Sequence, residues 1–193
     1  MLKKFKNWLL QNEPPIQLNQ QRKLSERVTL VQTEFRLTST SDCYTLKIGT
    51  RQDISDLIKI EKLSYDGKAP WSKIAFEHEM SVNQNSIYLI IKNAAQEAVG
   101  FIGAWFVEGE AHITNVAVQP IYQRRGIGRL LITELKKIAI SEKQTKMSLE
   151  VRKSNKNAQS LYHQLGFSDG KIKQSYYSDD HEDALEMALS LNE

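Results

Sequence analysis

The chain has 193 residues, the length of one domain with an appendage at roughly 100–200 residues per domain. Hydrophobic residues at 40% and charged residues at 25% are ordinary globular usage, which excludes disordered, collagen-like and coiled-coil classes. The net charge of +3 resides in the first 44 residues, with seven basic and four acidic side chains, while the remainder balances and gives no support to a general nucleic-acid grip.

Leu2, Phe5, Trp8 and Leu9 recur at helical spacing with Lys3, Lys4 and Lys6 between them, which predicts a turn or two of basic amphipathic helix. Its apolar stretch ends at Gln11, too soon for a secretory signal, and Pro14-Pro15 stops the helix because proline lacks an N–H and restricts its predecessor. The β-branched segment 28–37 predicts an extra strand, and 38–42 a polar linker. Residues 1–43 therefore read as an N-terminal basic extension that packs on the body or docks elsewhere, and 44–193 as the main domain. The lone Cys43 excludes an intramolecular disulfide and suits a reducing cytoplasm, the expected compartment.

From Tyr44 onward strands alternate with helices. A strand over 44–50 precedes a helix over 53–63 whose apolar face is Ile54, Leu57, Ile58 and Leu63. Pro70-Trp71-Ser72 breaks the chain, and Ser72 is placed to cap a helix with Ile74, Phe76 and Met80 inward. Segments 86–92, 98–107 and 110–119 read as a three-strand meander. Its longest apolar run, 101–107, is far short of the roughly 20 residues that span a bilayer, so no membrane span is expected. A helix over 126–141 turns Ile127, Leu130, Leu131, Leu135, Ile138 and Ala139 inward. A strand over 146–152 and a helix over 155–165 follow, with Gly166 as the left-handed residue that ends the helix and Phe167 packing back on it. Strands over 172–177 and 184–189 close the chain.

The strongest motif is Gln123-Arg124-Arg125-Gly126-Ile127-Gly128, between a strand and a helix. A helix N-terminus offers unpaired N–H groups and partial positive charge, glycines permit close approach, and Arg124, Arg125 and Arg129 add to the field. A pyrophosphate suits that arrangement. A dinucleotide fingerprint needs a third small residue where Leu131 stands, and an NTPase phosphate loop needs Gly-Lys-Ser/Thr, which is absent.

Asn115-Val116-Ala117-Val118 followed by Gln123-x-x-Gly126-x-Gly128 resembles the acetyl-CoA signature of the GNAT superfamily of N-acetyltransferases. Further fragments narrow the resemblance: Pro70-Trp71-Ser72, Leu149-Glu150-Val151-Arg152, Ser154-Asn155, Leu161-Tyr162 through Gly166-Phe167, and Tyr176-Tyr177 with Glu182-Asp183-Ala184 and Met187. As an ordered set they resemble the ribosomal-protein alanine N-acetyltransferases, the RimI group. The resemblance covers about residues 44–190; the N-terminal extension and Ser178, where a proline often follows the tyrosine pair, depart from it.

The resemblance implies an α+β fold with a mixed, mostly antiparallel sheet whose fourth and fifth strands splay, flanked by helices. It implies acetyl-CoA as co-substrate, with Val116, Ala117 and Val118 along the pantetheine arm. Arg124, Arg125, Gly126, Ile127, Gly128 and Arg129 would line the pyrophosphate, and Asn155 would lie near the thioester. It makes Glu150 the general base and Tyr162 the acid that serves the departing thiolate. The implied acceptor is a protein N-terminal amine, the alanine of a small-subunit ribosomal protein, with no nucleic acid required and a monomer as the default.

Elementary acid–base chemistry agrees with that acceptor. A peptide α-amine of pKa about 7.7–8.0 costs about 1–1.4 kcal/mol to deprotonate at neutral pH, whereas a lysine near 10.4 costs roughly 4–5 kcal/mol, so a modest carboxylate fits the former more readily. Tyrosine near 10 would protonate a thiol near 8.5 uphill, so a hydrogen bond from Tyr162 can serve as well as full transfer. His78, His112, His163 and His181 lack metal-ligand spacing, and no metal is expected. Asp179, Asp180, Glu182 and Asp183 form a solvated acidic loop or, with Glu108 and Glu110, a surface for a basic peptide. Two rivals stay open: an acetyltransferase for another amine, such as a polyamine, antibiotic or other protein terminus, and a non-catalytic CoA-binding or ribosome-docking module.

Overall fold

The computed structural model describes residues 22–37, 42–65, 67 and 69–192. The basic helix expected around residues 2–9, the proline pair and most of the 38–42 linker lie outside them. The described chain is a mixed α+β fold that divides into two compact units, one of residues 23–147 with 190–192 and one of residues 148–189 with Arg22.

The larger unit opens with one helical turn, α1 (Leu24–Arg27), whose Leu24 is fully buried. Arg27 reaches Glu142 at 2.8 Å. The extra strand expected over 28–37 is confined to β1 (Glu34–Arg36), because Val31 is wholly exposed and only the last residues meet β2 (Cys43–Ile48). After a 3-10 turn come α2 (Ile54–Ser64) and α3 (Lys73–Ser81). The meander follows as β3 (Ser86–Lys92), β4 (Ala98–Val107) and β5 (Glu110–Val118), and α4 (Ile127–Ser141) lies beyond it. Strands β1 to β5 are neighbours in chain order, and every pair is antiparallel.

The core explains the strand order. Residues 87–91 of β3 are at most 1% exposed, an uninterrupted apolar run with no solvent face, as a central strand requires. Phe76 of α3 stands edge-on to Tyr88 and Phe101, with ring centroids 5.9 and 6.0 Å away. Gly103 is where Tyr88 lies against β4: a Cβ there would sit 2.5 Å from the Tyr88 ring. Two expected helix faces are corrected. In α2 the buried stripe is Ile54, Leu57, Ile60 and Glu61, with Leu63 exposed, and in α3 it is Phe76 and Glu79, with Ile74 exposed. In each a glutamate takes the turn that an apolar reading gives to a hydrophobe. In α4 Ile132 is buried and Leu130 only half so.

The smaller unit carries most of β6 (Lys146–Arg152), then α5 (Lys156–Gln164), β7 (Ser168–Lys173) and most of β8 (Ala184–Ser190), in strand order β6-β8-β7. Helix α5 ends as expected: Gly166 has φ +92°, its N–H donates to the His163 carbonyl, and the Phe167 N–H donates to that of Tyr162. The strand expected over 172–177 lies earlier, because the chain turns at Ser175 with φ +47°. No helix among the described residues is long and apolar enough to cross a membrane.

Candidate active site

The expected site residues fall into two groups, one in each unit. In the larger unit, Val116, Ala117 and Val118 end β5, opposite Ile102, Phe101 and Gly100. The β4–β5 register shifts between Gly103 and Ala104, so Thr114 is an extra residue just before Asn115. The chain then makes a 3-10 turn over Pro120–Tyr122 and enters the basic loop. Arg124 and Gly126 both have positive φ, at +61° and +90°. This curls the loop so that it delivers Ile127 to the first turn of α4. Gly126 caps α4 without a side-chain hydrogen bond, and space is open where its Cβ would be.

A helix start without a side-chain cap, a bare glycine and exposed Arg124 and Arg129 fit a pyrophosphate-bearing group. Arg125 is committed elsewhere: it pairs with Asp42 at 3.3 Å and lies 5.2 Å from the centre of the Tyr122 ring. Ile127 is buried and anchors the helix, and Gly128 is half-buried.

One feature of this group escaped the sequence reading. Glu61 is 1% exposed, accepts the Trp71 backbone N–H at 3.0 Å, and accepts the Asn115 side-chain amide at 3.5 Å. It thus ties the Pro-Trp-Ser break to the residue before Val116. Burial pushes its carboxyl up to about 7 against the pull of those two donors.

In the smaller unit, Leu149 and Val151 are buried and the Glu150 side chain is only 4% exposed, withdrawn from solvent despite its charge. Its Oε1 accepts from Lys173 Nζ at 2.5 Å, and the same ammonium lies 2.9 Å from Glu186 Oε2. Burial, and after it the charge of Glu150, holds the Tyr176 phenol well above the ordinary tyrosine value. Lys173, Glu186 and Tyr176 were not among the expected site residues. Tyr176 is visible in the tyrosine pair, but nothing in local spacing brings Lys173, 23 residues on, to Glu150.

Tyr162 is 5% exposed on α5 with its ring 5.8 Å from Phe167. Asn155 caps α5, its Oδ1 accepting the Ala158 N–H at 3.1 Å. The amide nitrogen remains as a donor that a ligand could meet. The acidic loop is held in place by a single arginine, with Asp179 and Asp180 still about half exposed. Arg152 holds Asp179, Asp180 and Glu182 at 2.9, 2.7 and 2.9 Å and stacks 3.9 Å over Tyr177. Glu182 also accepts the Ser154 N–H at 2.7 Å and Asp183 that of Ser175 at 3.1 Å, so these carboxylates pin the loop.

The chain is similar to known proteins. The acetyltransferase (GNAT) family model matches residues 52–167. A Salmonella typhimurium protein named ribosomal protein bS18-alanine N-acetyltransferase is 36% identical over 155 residues, 77% of this chain and 98% of that one. The crystal structure of the ribosomal-protein-S18-alanine N-acetyltransferase from Escherichia coli has TM-score 0.70 and 30% identity, covering 78% of this chain and 95% of that one. A spermidine/spermine N-acetyltransferase from Vibrio cholerae shares the fold, with TM-score 0.63 at 18% identity over 77% of this chain and 92% of that one.

Proposed function

Because the chain belongs to the GNAT acetyltransferase family, we propose that it transfers the acetyl group of acetyl-CoA to the N-terminal α-amine of a small-subunit ribosomal protein, at its alanine. The observation that carries the acceptor is the 36% identity to the Salmonella enzyme over 98% of that enzyme's length. The arrangement of residues supports the chemistry.

In this reading the end of β5 holds the pantetheine arm through Val116, Ala117 and Val118. Arg124, Arg129 and the first N–H groups of α4, at Ile127 and Gly128, hold the pyrophosphate, Gly126 leaves room for it, and Asn155 donates near the thioester. Glu150 takes a proton from the acceptor amine, directly or through one water, as the nitrogen attacks the thioester carbon. Tyr162 then donates a proton or a hydrogen bond to the sulfur as the carbon–sulfur bond breaks. The amine gains the acetyl group and loses one proton, so the enzyme needs no nucleophile. A carboxylate withdrawn from solvent and already bound to a primary ammonium is a group suited to receiving an amine.

The test is acetyl transfer from acetyl-CoA to a basic peptide beginning with alanine, read by fragmentation mass spectrometry. An added acetyl group confined to residue 1 is the expected product. Acetyl-CoA binding without that product would reject this acceptor in favour of another amine, such as spermidine, or of a binding module.

A further inference from the structure

The Glu150 carboxylate has an occupant, and the occupant carries a primary ammonium like that of an acceptor amine. Lys173 presents a primary ammonium 2.5 Å from Glu150 Oε1 and 2.9 Å from Glu186 Oε2. The two carboxylates differ in setting: the Glu150 side chain is 4% exposed and that of Glu186 30%, with Lys173 at 25%. The ammonium therefore bridges an inner and an outer carboxylate, and the Tyr176 ring centre lies 5.8 Å from it.

A general base must come within about 2.6–3.2 Å of the proton it takes, or reach it through one water. Glu150 Oε1 is engaged by Lys173, so an incoming amine competes with that ammonium for the carboxylate. The lysine can move. Its ammonium is a compact charge on a flexible four-carbon stem, and a second carboxylate nearer solvent already holds it. Exchanging one ammonium for another also leaves the inner carboxylate compensated throughout, whereas removing a partner outright from a buried pair is costly.

We infer that Lys173 is a tethered competitor of the acceptor amine: its ammonium holds the place on Glu150 that the acceptor's α-ammonium must take, and Glu186 receives it when it is displaced. This rests on Glu150 acting as the base. The competitor is not itself a good acceptor, since an ε-amine near 10.4 stays protonated at neutral pH while an α-amine near 8 can lose its proton to a carboxylate. Lys173 is thus a positioning residue that selects for charged primary amines able to displace it.

The test compares full-length wild type with Lys173→Met, Lys173→Arg, Lys173→Met/Glu186→Gln and Glu150→Gln. It measures KM and kcat for the alanine peptide and Kd for acetyl-CoA, with fold checked by circular dichroism. Removing the competitor lowers peptide KM by about tenfold, equivalent to about 1.4 kcal/mol, with acetyl-CoA Kd unchanged. The arginine variant, which binds carboxylates through a planar fork, raises peptide KM. The double variant balances the charge and is the one to read if Lys173→Met alone fails to fold; it also shows the lower KM. Loss of turnover in Lys173→Met with recovery in Lys173→Arg would instead make Lys173 a fixed counter-ion and overturn the inference, as would unchanged KM in both. Full turnover by Glu150→Gln would remove the base reading and this inference with it. An inactive Glu150→Gln beside unaltered lysine variants would remove the inference alone. If wild type does not acetylate the peptide, the same comparison is made on spermidine, and the same signs decide.

Discussion

A carboxyl group sealed inside a fold records its protonation in the stability of the whole chain, and Glu61 is such a group. It is 1% exposed and its carboxyl is pushed up to about 7, from an ordinary value near 4.5. A group whose folded pKa is raised stabilises the fold fully below its unfolded pKa, and that stabilisation is lost as pH rises through the folded value. The window is therefore about pH 4.5 to 7. At 1.36 kcal/mol per unit, wild type should lose up to about 3 kcal/mol relative to Glu61→Gln across it. Urea denaturation of both proteins at pH 5 and pH 8 measures this, and the comparison cancels the similarly buried Glu79. A stability difference independent of pH would mean that Glu61 is ionised throughout. Local reading missed this residue for a physical reason. Its position has the 3.6-residue period of a core hydrophobe, and what satisfies it, the Trp71 N–H and the Asn115 amide, comes from distant parts of the chain.

Elements were legible where one face is buried and opaque where none is. Helix α4, the meander and the end of α5 followed from apolar periodicity and a glycine stop, because those segments must hide one side from water. Strand β7 is opaque because five of its six residues are exposed, which leaves no alternation to read. Two glycines test what holds the elements. At Gly103 a methyl group would meet the Tyr88 ring at 2.5 Å and Asn115 Oδ1 at 2.6 Å, so Gly103→Ala forces the strand pair or the ring to move. Overpacking of that kind costs typically about 1–3 kcal/mol, or roughly 2–4 °C per kcal/mol in a chain of this size. Gly126→Ala meets no atom within 4 Å and costs only the strain of a left-handed φ, about 1–2 kcal/mol. Thermal melts should therefore rank Gly103→Ala at least as harmful as Gly126→Ala. The opposite order would mean that Tyr88 yields freely.

Across the molecule, the residues assigned to cofactor binding and those assigned to chemistry fall largely on different compact units. The basic loop is in the larger, and Glu150 and Tyr162 are in the smaller. The sequence motif locates the first group because a phosphate cradle is local, built from consecutive residues at one helix start. It names Glu150 but not Lys173, which reaches it from a separate strand and brings Glu186 with it. This division predicts separable defects. Arg124 is exposed at the loop, whereas Arg125 is already held by Asp42 and Tyr122. Arg124→Ala should thus weaken acetyl-CoA binding by about 10- to 100-fold, the loss of one charge-assisted hydrogen bond of about 1.5–3 kcal/mol, with kcat at saturating cofactor retained. Glu150→Gln should do the reverse, lowering kcat by about 10²-fold or more with acetyl-CoA Kd unchanged. Calorimetric Kd values beside steady-state rates separate the two. Equal loss of cofactor affinity in Glu150→Gln would make that residue a structural prop, and an unchanged Kd in Arg124→Ala would take the arginine out of the cradle and leave the α4 N-terminus to hold the phosphates alone.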